Sequence, residues 1–211
     1  MTIAIERTAL IVIDVQNDFC PGGSLAVPDG DAVVPVINSL SSRFPLCVAT
    51  QDWHPAGHVS FASSYPGVQA FDTVASQGRS LIAWPDHCVQ ASPGADFHPQ
   101  LNTAPFRLIV RKGFRPDVDS YSAFFENDGR TSTGLNGVLT SLGMRAVVLC
   151  GLALDVCVYY SALDARRLGY TTMVLLNASR AVDKPAGSAE KAMEQMRARG
   201  VILLDEWEMH S

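Results

Sequence analysis

Short apolar runs alternate along the chain with segments whose apolar residues recur at helical spacing. The runs are rich in β-branched residues and predict buried strands at 8–15, 45–52, 106–112, 145–151, 170–178 and 201–207. Helical spacing predicts helices at 31–44, 131–143, 155–169 and 186–200. This alternation predicts a single α/β domain over residues 1–211, a three-layer fold in which a mostly parallel six-stranded sheet has helices on both faces.

Two local features refine this picture. In the helix at 155–169, the spacing predicts a buried face made of Val156, Tyr159, Tyr160 and Leu163. Residues at about 52–105 show no clear periodicity and are rich in Pro, Gly and Ser. A loop of that length inside a compact domain is usually functional.

Composition narrows the class of protein. The 211 residues carry a formal net charge of -5 and no cluster of Lys and Arg, which argues against nucleic acid as a partner. The apolar run near the N-terminus is too short to span a membrane and soon meets Asp14. Five cysteines at wide spacings, without a CxxC pair, predict free thiols and a cytoplasmic location.

Chemically capable side chains follow four of the predicted strands. Asp14 ends the first strand, Asp52 and His54 follow the second, Lys112 ends the third and "GLALDVC" follows the fourth. Ligands of parallel α/β sheets bind outside the carboxyl ends of the strands. We therefore expect these groups to meet in one site.

Cys157 is the candidate nucleophile. It lies in the first turn of the helix after the fourth strand, where the helix N-terminus is expected to lower the thiol pKa and favour the thiolate. The alternative is a small buried side chain, which is how Cys47 and Cys150 are interpreted. Asp14 is a candidate general base. Lys112 is either a partner of Asp14 that stabilises a thiolate or a solvated lysine.

The segment "QDWHPAGHVSF" concentrates metal-ligand chemistry. Asp52 and His54 share one face of an extended segment, and His87 in "WPDHCVQ" supplies a third candidate ligand. Two histidines and a carboxylate with open positions suit a catalytic divalent metal. The alternative is that these histidines hydrogen-bond to loop backbone. Pro55 disfavours a helical site formed by His54 and His58.

The chain closely resembles the nicotinamidases, a branch of the isochorismatase-like hydrolase superfamily. The resemblance covers nearly the whole chain and rests on "LIVIDVQNDFCPGGSLAV", "QDWHPAGHVSFAS", "WPDHCVQ", "ADFHPQL", "RKG", "DSYSAFF" and "GLALDVCV". It implies the isochorismatase-like form of the fold. It departs at Leu154, where the family commonly has threonine, and we expect a local change in packing or pocket polarity there.

The resemblance implies metal-dependent hydrolysis of nicotinamide to nicotinate and ammonia through a thioester on Cys157, serving NAD salvage. Asp14 moves the proton and Lys112 holds Asp14 and the thiolate in register. Backbone N–H groups of Ala153 and Cys157 form the oxyanion hole, beside a cis peptide between Leu152 and Ala153. Pyrazinamide is expected to be a second substrate.

The resemblance also implies a metal site. Asp52, His54 and His87 hold one divalent transition metal ion, zinc foremost and iron or manganese as alternatives, and this ion binds the pyridine nitrogen. Waters on the ion are expected to contact His58 or Ser60.

The resemblance places Phe19 and Trp84 around the pyridine ring, and we expect Leu152 and Tyr121 to line the pocket as well. The partner is thus a small molecule rather than a membrane or nucleic acid, and the chain is expected to be a monomer or a small homo-oligomer.

Two other functional hypotheses compete with this one. An isochorismatase-type ether hydrolase or a carbamoyl amidohydrolase would share the fold, but isochorismatases lack the metal set of Asp52, His54 and His87. A metal-binding or redox protein without turnover would not need Asp14, Lys112 and Cys157 together.

Overall fold

The computed structural model describes residues 4–76 and 78–207. Along that part of the chain the elements are β1 (Thr8–Ile13), α1 (Val33–Leu40), β2 (Leu46–Asp52), β3 (Thr73–Ser76), β4 (Arg79–Ile82), β5 (Phe106–Lys112), α2 (Leu135–Ser141), β6 (Ala146–Leu152), α3 (Tyr159–Arg167), β7 (Thr171–Arg180), α4 (Ser188–Ala198) and β8 (Ile202–Leu204). Each predicted strand of the main sheet is present, and the helices are shorter than predicted. None of the helices formed by these residues is long and apolar enough to cross a membrane.

The main sheet has six strands in the order β5-β2-β1-β6-β7-β8. Every neighbouring pair is parallel, which confirms the predicted sheet. The carboxyl ends of β1, β2, β5 and β6 therefore lie side by side at one edge.

Both faces of the sheet are covered, as the continuous apolar runs predicted. Along β1, Leu10 and Val12 pack into the core on one face, whereas Ala9, Ile11 and Ile13 pack into the core on the other. Helix α1 covers the first face, and α2, α3 and α4 cover the second. Burying each large aliphatic side chain contributes about 1.5–3 kcal/mol, so this layering fixes the strand ends firmly.

The predicted buried face of α3 was wrong. The buried side chains are those of Ser161, Ala162 and Ala165, whereas Tyr160 is 44% exposed. The cause is a π-helical turn over Leu154–Val158 that precedes the α-helix. A π turn holds more residues than an α turn, so the 3.6-residue pattern counted from residue 155 loses register.

The long segment between β2 and β5 is not structureless. It contains β3 and β4, which form a separate antiparallel pair of four residues each. Backbone hydrogen bonds join two parts of this segment: His54 N donates to Cys88 O at 3.0 Å, and Gln90 N donates to His54 O at 2.8 Å. Residues 54 and 87–90 are thereby brought together across the loop.

Candidate active site

Lys112 is the centre of the site. It ends β5 and is completely buried. Its Nζ lies 2.8 Å from Asp14 Oδ2 and 3.4 Å from Cys157 Sγ, and it donates to Ser120 O at 3.0 Å and to the carboxylate of Asp52. Burying an ammonium is tolerable only when it is paired and fully hydrogen-bonded. The reading of Lys112 as a solvated side chain is therefore excluded, and it gathers the predicted catalytic groups around itself.

Asp14 follows β1 in a left-handed backbone conformation, with φ 50°, and is completely buried. Thr50 Oγ1 donates to Asp14 Oδ1 at 2.5 Å, and Asp14 N donates to Thr50 Oγ1 at 3.2 Å. Burial raises the pKa of Asp14, and the charge of Lys112 only partly opposes that rise. A carboxylate with a raised pKa is a better proton acceptor, as a general base requires.

Cys157 lies in the π-helical turn after β6 and is 6% exposed. The expected fall in its pKa was wrong. Burial raises the thiol pKa well above its usual value, and the nearby charge of Asp14 adds to the rise, while Lys112 opposes it. Desolvation of a buried group outweighs the modest influence of a helix terminus. The resting nucleophile is a thiol that needs a base beside it.

The ends of β1 and β6 approach closely enough to bring the base and the thiol together. A Cβ on Gly151, where φ is 112°, would lie 2.1 Å from Ile13 O, so only glycine fits. The following peptide, between Leu152 and Ala153, is cis, as the resemblance implied. Ala153 then lines the pocket next to Cys157.

The three predicted metal ligands converge. Asp52 Oδ2 lies 3.6 Å from His54 Nε2 and 3.8 Å from His87 Nε2. The other ring nitrogens face backbone carbonyls, since His54 Nδ1 is 2.9 Å from Gly113 O and His87 Nδ1 is 2.7 Å from Pro85 O. Donation from each Nδ1 leaves both Nε2 lone pairs directed at the same carboxylate oxygen, which is how metal-binding histidines are held. The donor set fits a divalent transition metal.

Asp52 belongs both to the residues gathered around Lys112 and to the predicted metal ligands. Burial alone would raise its pKa, but the charge of Lys112 prevails and holds that pKa well below its usual value. Its backbone is fixed by Gln16, which accepts from Asp52 N at 2.8 Å and donates to Asp52 O at 2.9 Å and to Ala95 O at 2.8 Å. Asp52 is therefore an ionised and rigidly placed ligand.

His58 and Ser60 lie behind His54. The His58 ring stacks on the His54 ring at 4.3 Å between centroids. His58 Nδ1 accepts from Ser60 Oγ at 2.7 Å, and His58 Nε2 lies 3.2 Å from Val118 O. Both nitrogens of His58 are in use, so this pair supports the His54 ring.

A pocket opens beside these groups, and its empty space, counted out to the open solvent at its mouth, is about 400 Å³. Phe19, Trp84 and Tyr121 line it as expected, and Trp84 Nε1 donates to Tyr121 Oη at 3.1 Å. The expectation for Leu152 was wrong, because its side chain is completely buried in the core and its neighbour Ala153 lines the pocket instead.

Five further lining residues were missed by sequence reasoning: Leu25, Val27, Asp119, Val156 and Val182. Asp119 is 3% exposed, and a carboxylate oxygen of it lies within 4.8 Å of ring nitrogens of His54 and His58. Its place shortly after β5 was the one signal that could have indicated it. Leu25, Val27 and Val182 come from loops and Val156 from the π-helical turn, and only the folded chain brings them together.

The sequence and the fold both match known proteins. Residues 8–207 match the isochorismatase domain. A nicotinamidase of Acinetobacter baylyi is 47% identical over 196 residues, covering 93% of this chain and 91% of that protein. The solved nicotinamidase/pyrazinamidase of Acinetobacter baumanii superposes with a TM-score of 0.92 at 46% identity, covering 94% of this chain and 96% of that one. The pyrazinamidase of Pyrococcus horikoshii, solved in complex with zinc, has a TM-score of 0.76 at 36% identity, with coverage of 94% and 98%.

Proposed function

This chain is a member of the isochorismatase family, and on that premise we propose that it is a nicotinamidase, an amidohydrolase that converts nicotinamide to nicotinate and ammonia. One observation carries the proposal: Lys112 holds Asp14 beside Cys157, and Cys157 lines a pocket that also contains Asp52 and two histidines. Pyrazinamide, which keeps a ring nitrogen and the carboxamide, is the second proposed substrate.

The first half of the reaction uses the buried thiol. Asp14 takes the proton from Cys157 Sγ, and the thiolate attacks the carboxamide carbon. The backbone N–H groups of Ala153 and Cys157 are the proposed donors to the oxyanion. The C–N bond then breaks as Asp14 returns the proton to nitrogen, which leaves ammonia and a thioester.

The second half restores the enzyme. Asp14, ionised again, takes a proton from water as the water oxygen attacks the thioester carbon. The C–S bond breaks, the product leaves as the acid or its anion, and Cys157 recovers its proton. The ammonium of Lys112 stays within contact of Asp14 and Cys157 throughout and balances whichever of them is charged.

Asp52, His54 and His87 would hold one divalent ion, because their free donor atoms face each other. When bound, the ion supplies a Lewis acid for the pyridine nitrogen, which positions the ring for attack. Phe19 and Trp84 form apolar walls for that ring. We propose zinc, which the two-histidine, one-carboxylate donor set and the zinc-bound Pyrococcus relative support; iron and manganese accept the same ligands.

The competing functional hypotheses fit the site less well. An isochorismatase-type ether hydrolase needs neither the metal set nor the thiol, and both are built here with buried, hydrogen-bonded partners. A protein without turnover has no use for a buried lysine shared between two carboxylates and a thiol. We also propose a cytoplasmic location, which the five unpaired cysteines support.

The test is ammonia release from nicotinamide by the zinc-loaded protein. Cys157→Ala is expected to lower the rate by at least about 10³-fold, since the covalent route is lost. Cys150→Ala is the matched control, because Cys150 is equally buried but lies within β6 outside the pocket lining. It should retain activity.

Metal dependence is measured on the same protein after chelation and after zinc is added back. Activity should disappear and return. A folded, zinc-loaded protein that releases no ammonia from nicotinamide would overturn the proposal, and carbamoyl compounds would then be the next substrates to examine.

A further inference from the structure

Asp155 lies two residues before Cys157, yet its side chain has no part in the chemistry described above. It is 9% exposed and is not among the residues that line the pocket. Its Oδ1 accepts from Val182 N at 3.0 Å, and its Oδ2 accepts from Asp183 N at 2.9 Å and from Ser188 Oγ at 2.5 Å. One carboxylate thus binds a separate segment of chain, 182–188, through three donors.

The three hydrogen bonds to the Asp155 carboxylate belong to a strong class. Hydrogen bonds to an ionised acceptor are roughly twice as strong as neutral ones. Within residues 4–76 and 78–207, Asp155 forms no ion pair, so the three donors replace the water that the carboxylate lost. Removing the charge or an acceptor would release the segment.

The three bonds of Asp155 connect two segments beyond the point where the sheet ends. The hydrogen-bonded pairing of β6 with β7 stops at Leu152 and Arg180. After that pair both segments leave the sheet, one into the turn that carries Cys157 and the other towards Val182. Val182 and Cys157 line the same pocket. The Asp155 side chain therefore joins the nucleophile turn to another part of the pocket wall.

We propose that Asp155 is a positioning residue, which keeps Cys157 within reach of Lys112 and Asp14 and keeps Val182 in the pocket wall. The consequence for turnover rests on the proposed function, whereas the consequence for the thiol does not. A misplacement of about 1 Å is enough to cost roughly 10²-fold in rate. Cys157 Sγ is 3.4 Å from Lys112 Nζ, so a small shift of the turn would end that contact.

The experiment compares Asp155→Asn with Asp183→Asn, both zinc-loaded and both assayed where circular dichroism shows them to be folded. Asparagine keeps the size of the side chain but turns one acceptor into a donor that faces other donors. Asp183 is the matched control, since its Oδ1 accepts from Gly187 N at 3.0 Å and Ala189 N at 3.1 Å. It has a longer contact of 3.5 Å with Ser188 Oγ, and its side chain forms no bond with the nucleophile turn.

Two quantities are measured: kcat and KM for nicotinamide, and the rate at which iodoacetamide alkylates Cys157, followed by peptide mass spectrometry. For Asp155→Asn we expect kcat to fall by roughly 10- to 100-fold with a much smaller change in KM. Alkylation should slow as well, because the thiol loses its base and its lysine. Asp183→Asn should lower stability but keep both rates.

Ser188→Ala removes one of the three bonds and should shift both rates in the same direction by less, so the test stands even if Asp155→Asn does not fold. Unchanged kcat and alkylation in folded Asp155→Asn, or equal losses in Asp183→Asn, would overturn the role of Asp155. If the wild type releases no ammonia from nicotinamide, the proposed function fails, while the alkylation rates still decide whether Asp155 positions the thiol.

Discussion

Gly113→Ala should weaken metal binding although position 113 contributes no side chain to the site. Gly113 follows β5 with φ 64°, and its carbonyl oxygen lies 2.9 Å from His54 Nδ1. A Cβ placed there would lie 2.4 Å from His54 Cε1 and 2.7 Å from His54 Nδ1. Contacts that short cannot persist, so the His54 ring or the backbone at 113 must move.

The expected magnitude has two parts. An alanine in the left-handed region costs about 1–2 kcal/mol, whatever surrounds it. In a domain of this size that corresponds to a fall in Tm of about 2–8 °C. Displacing His54 adds a second loss, because disturbing the groups that orient a metal ligand typically costs about 10–100-fold in affinity.

Gly143→Ala separates the two parts. Gly143 has φ 69°, and a Cβ there meets nothing within 4 Å. Both variants should lose stability in a thermal melt without zinc, and Gly113→Ala should lose more because the contact with His54 adds to the backbone cost. Zinc affinity, measured by competition with a chromophoric chelator, should fall only in Gly113→Ala. Equal zinc affinities in the two variants would refute the idea that the carbonyl and the missing side chain at 113 hold His54 in place.

Three further predictions follow from the site. Lys112→Met should lower the free energy of unfolding by about 3–5 kcal/mol in urea titrations, since two buried carboxylates lose their counter-charge. Arg111→Met, on the exposed side of the same strand, is the control. Similar losses of stability in the two variants would contradict the reasoning. Thr50→Val should lower kcat about tenfold, the equivalent of about 1.4 kcal/mol, because the Asp14 carboxylate loses the hydroxyl that holds it in its orientation towards Cys157. An unchanged kcat would show that the other contacts of Asp14 suffice to orient it. Burial raises the pKa of Cys47 from 9.0 to about 12, so the thiol ionises in the unfolded chain before it does in the folded one, and the free energy of unfolding should fall between pH 9 and 12. Cys47→Ala should reduce that fall in urea titrations across this pH range. A fall that persists unchanged would mean that other groups cause it.

The convergence of the site could be predicted because it depends on strand ends. Asp14, Asp52 and Lys112 each end an apolar run, and a charged group there is costly to bury unless it meets a partner. Since β1, β2 and β5 are adjacent and parallel, the three side chains meet. The apolar runs of the sequence therefore fixed both the fold and the place of the chemistry.

The remainder depended on contacts between distant segments. The thiol pKa of Cys157 is set by burial and by neighbouring charges, which no local pattern records. The π-helical turn shifts the face of α3 by inserting residues that helical spacing does not count. Asp119 and Val182 enter the pocket from loops whose course is decided by packing and by side-chain hydrogen bonds such as those of Asp155.

The shared lysine limits how such a site can change over generations. Lys112 contacts Asp52, which faces the metal, and also Asp14 and Cys157, which perform the chemistry. A lineage that dispensed with the ion could not neutralise Asp52 alone, because the same substitution would alter the charge around the nucleophile. Loss of the metal and retention of the thiol route would require coordinated exchanges, with intermediates that are both less stable and less active. The two halves of the site are thus expected to be inherited together.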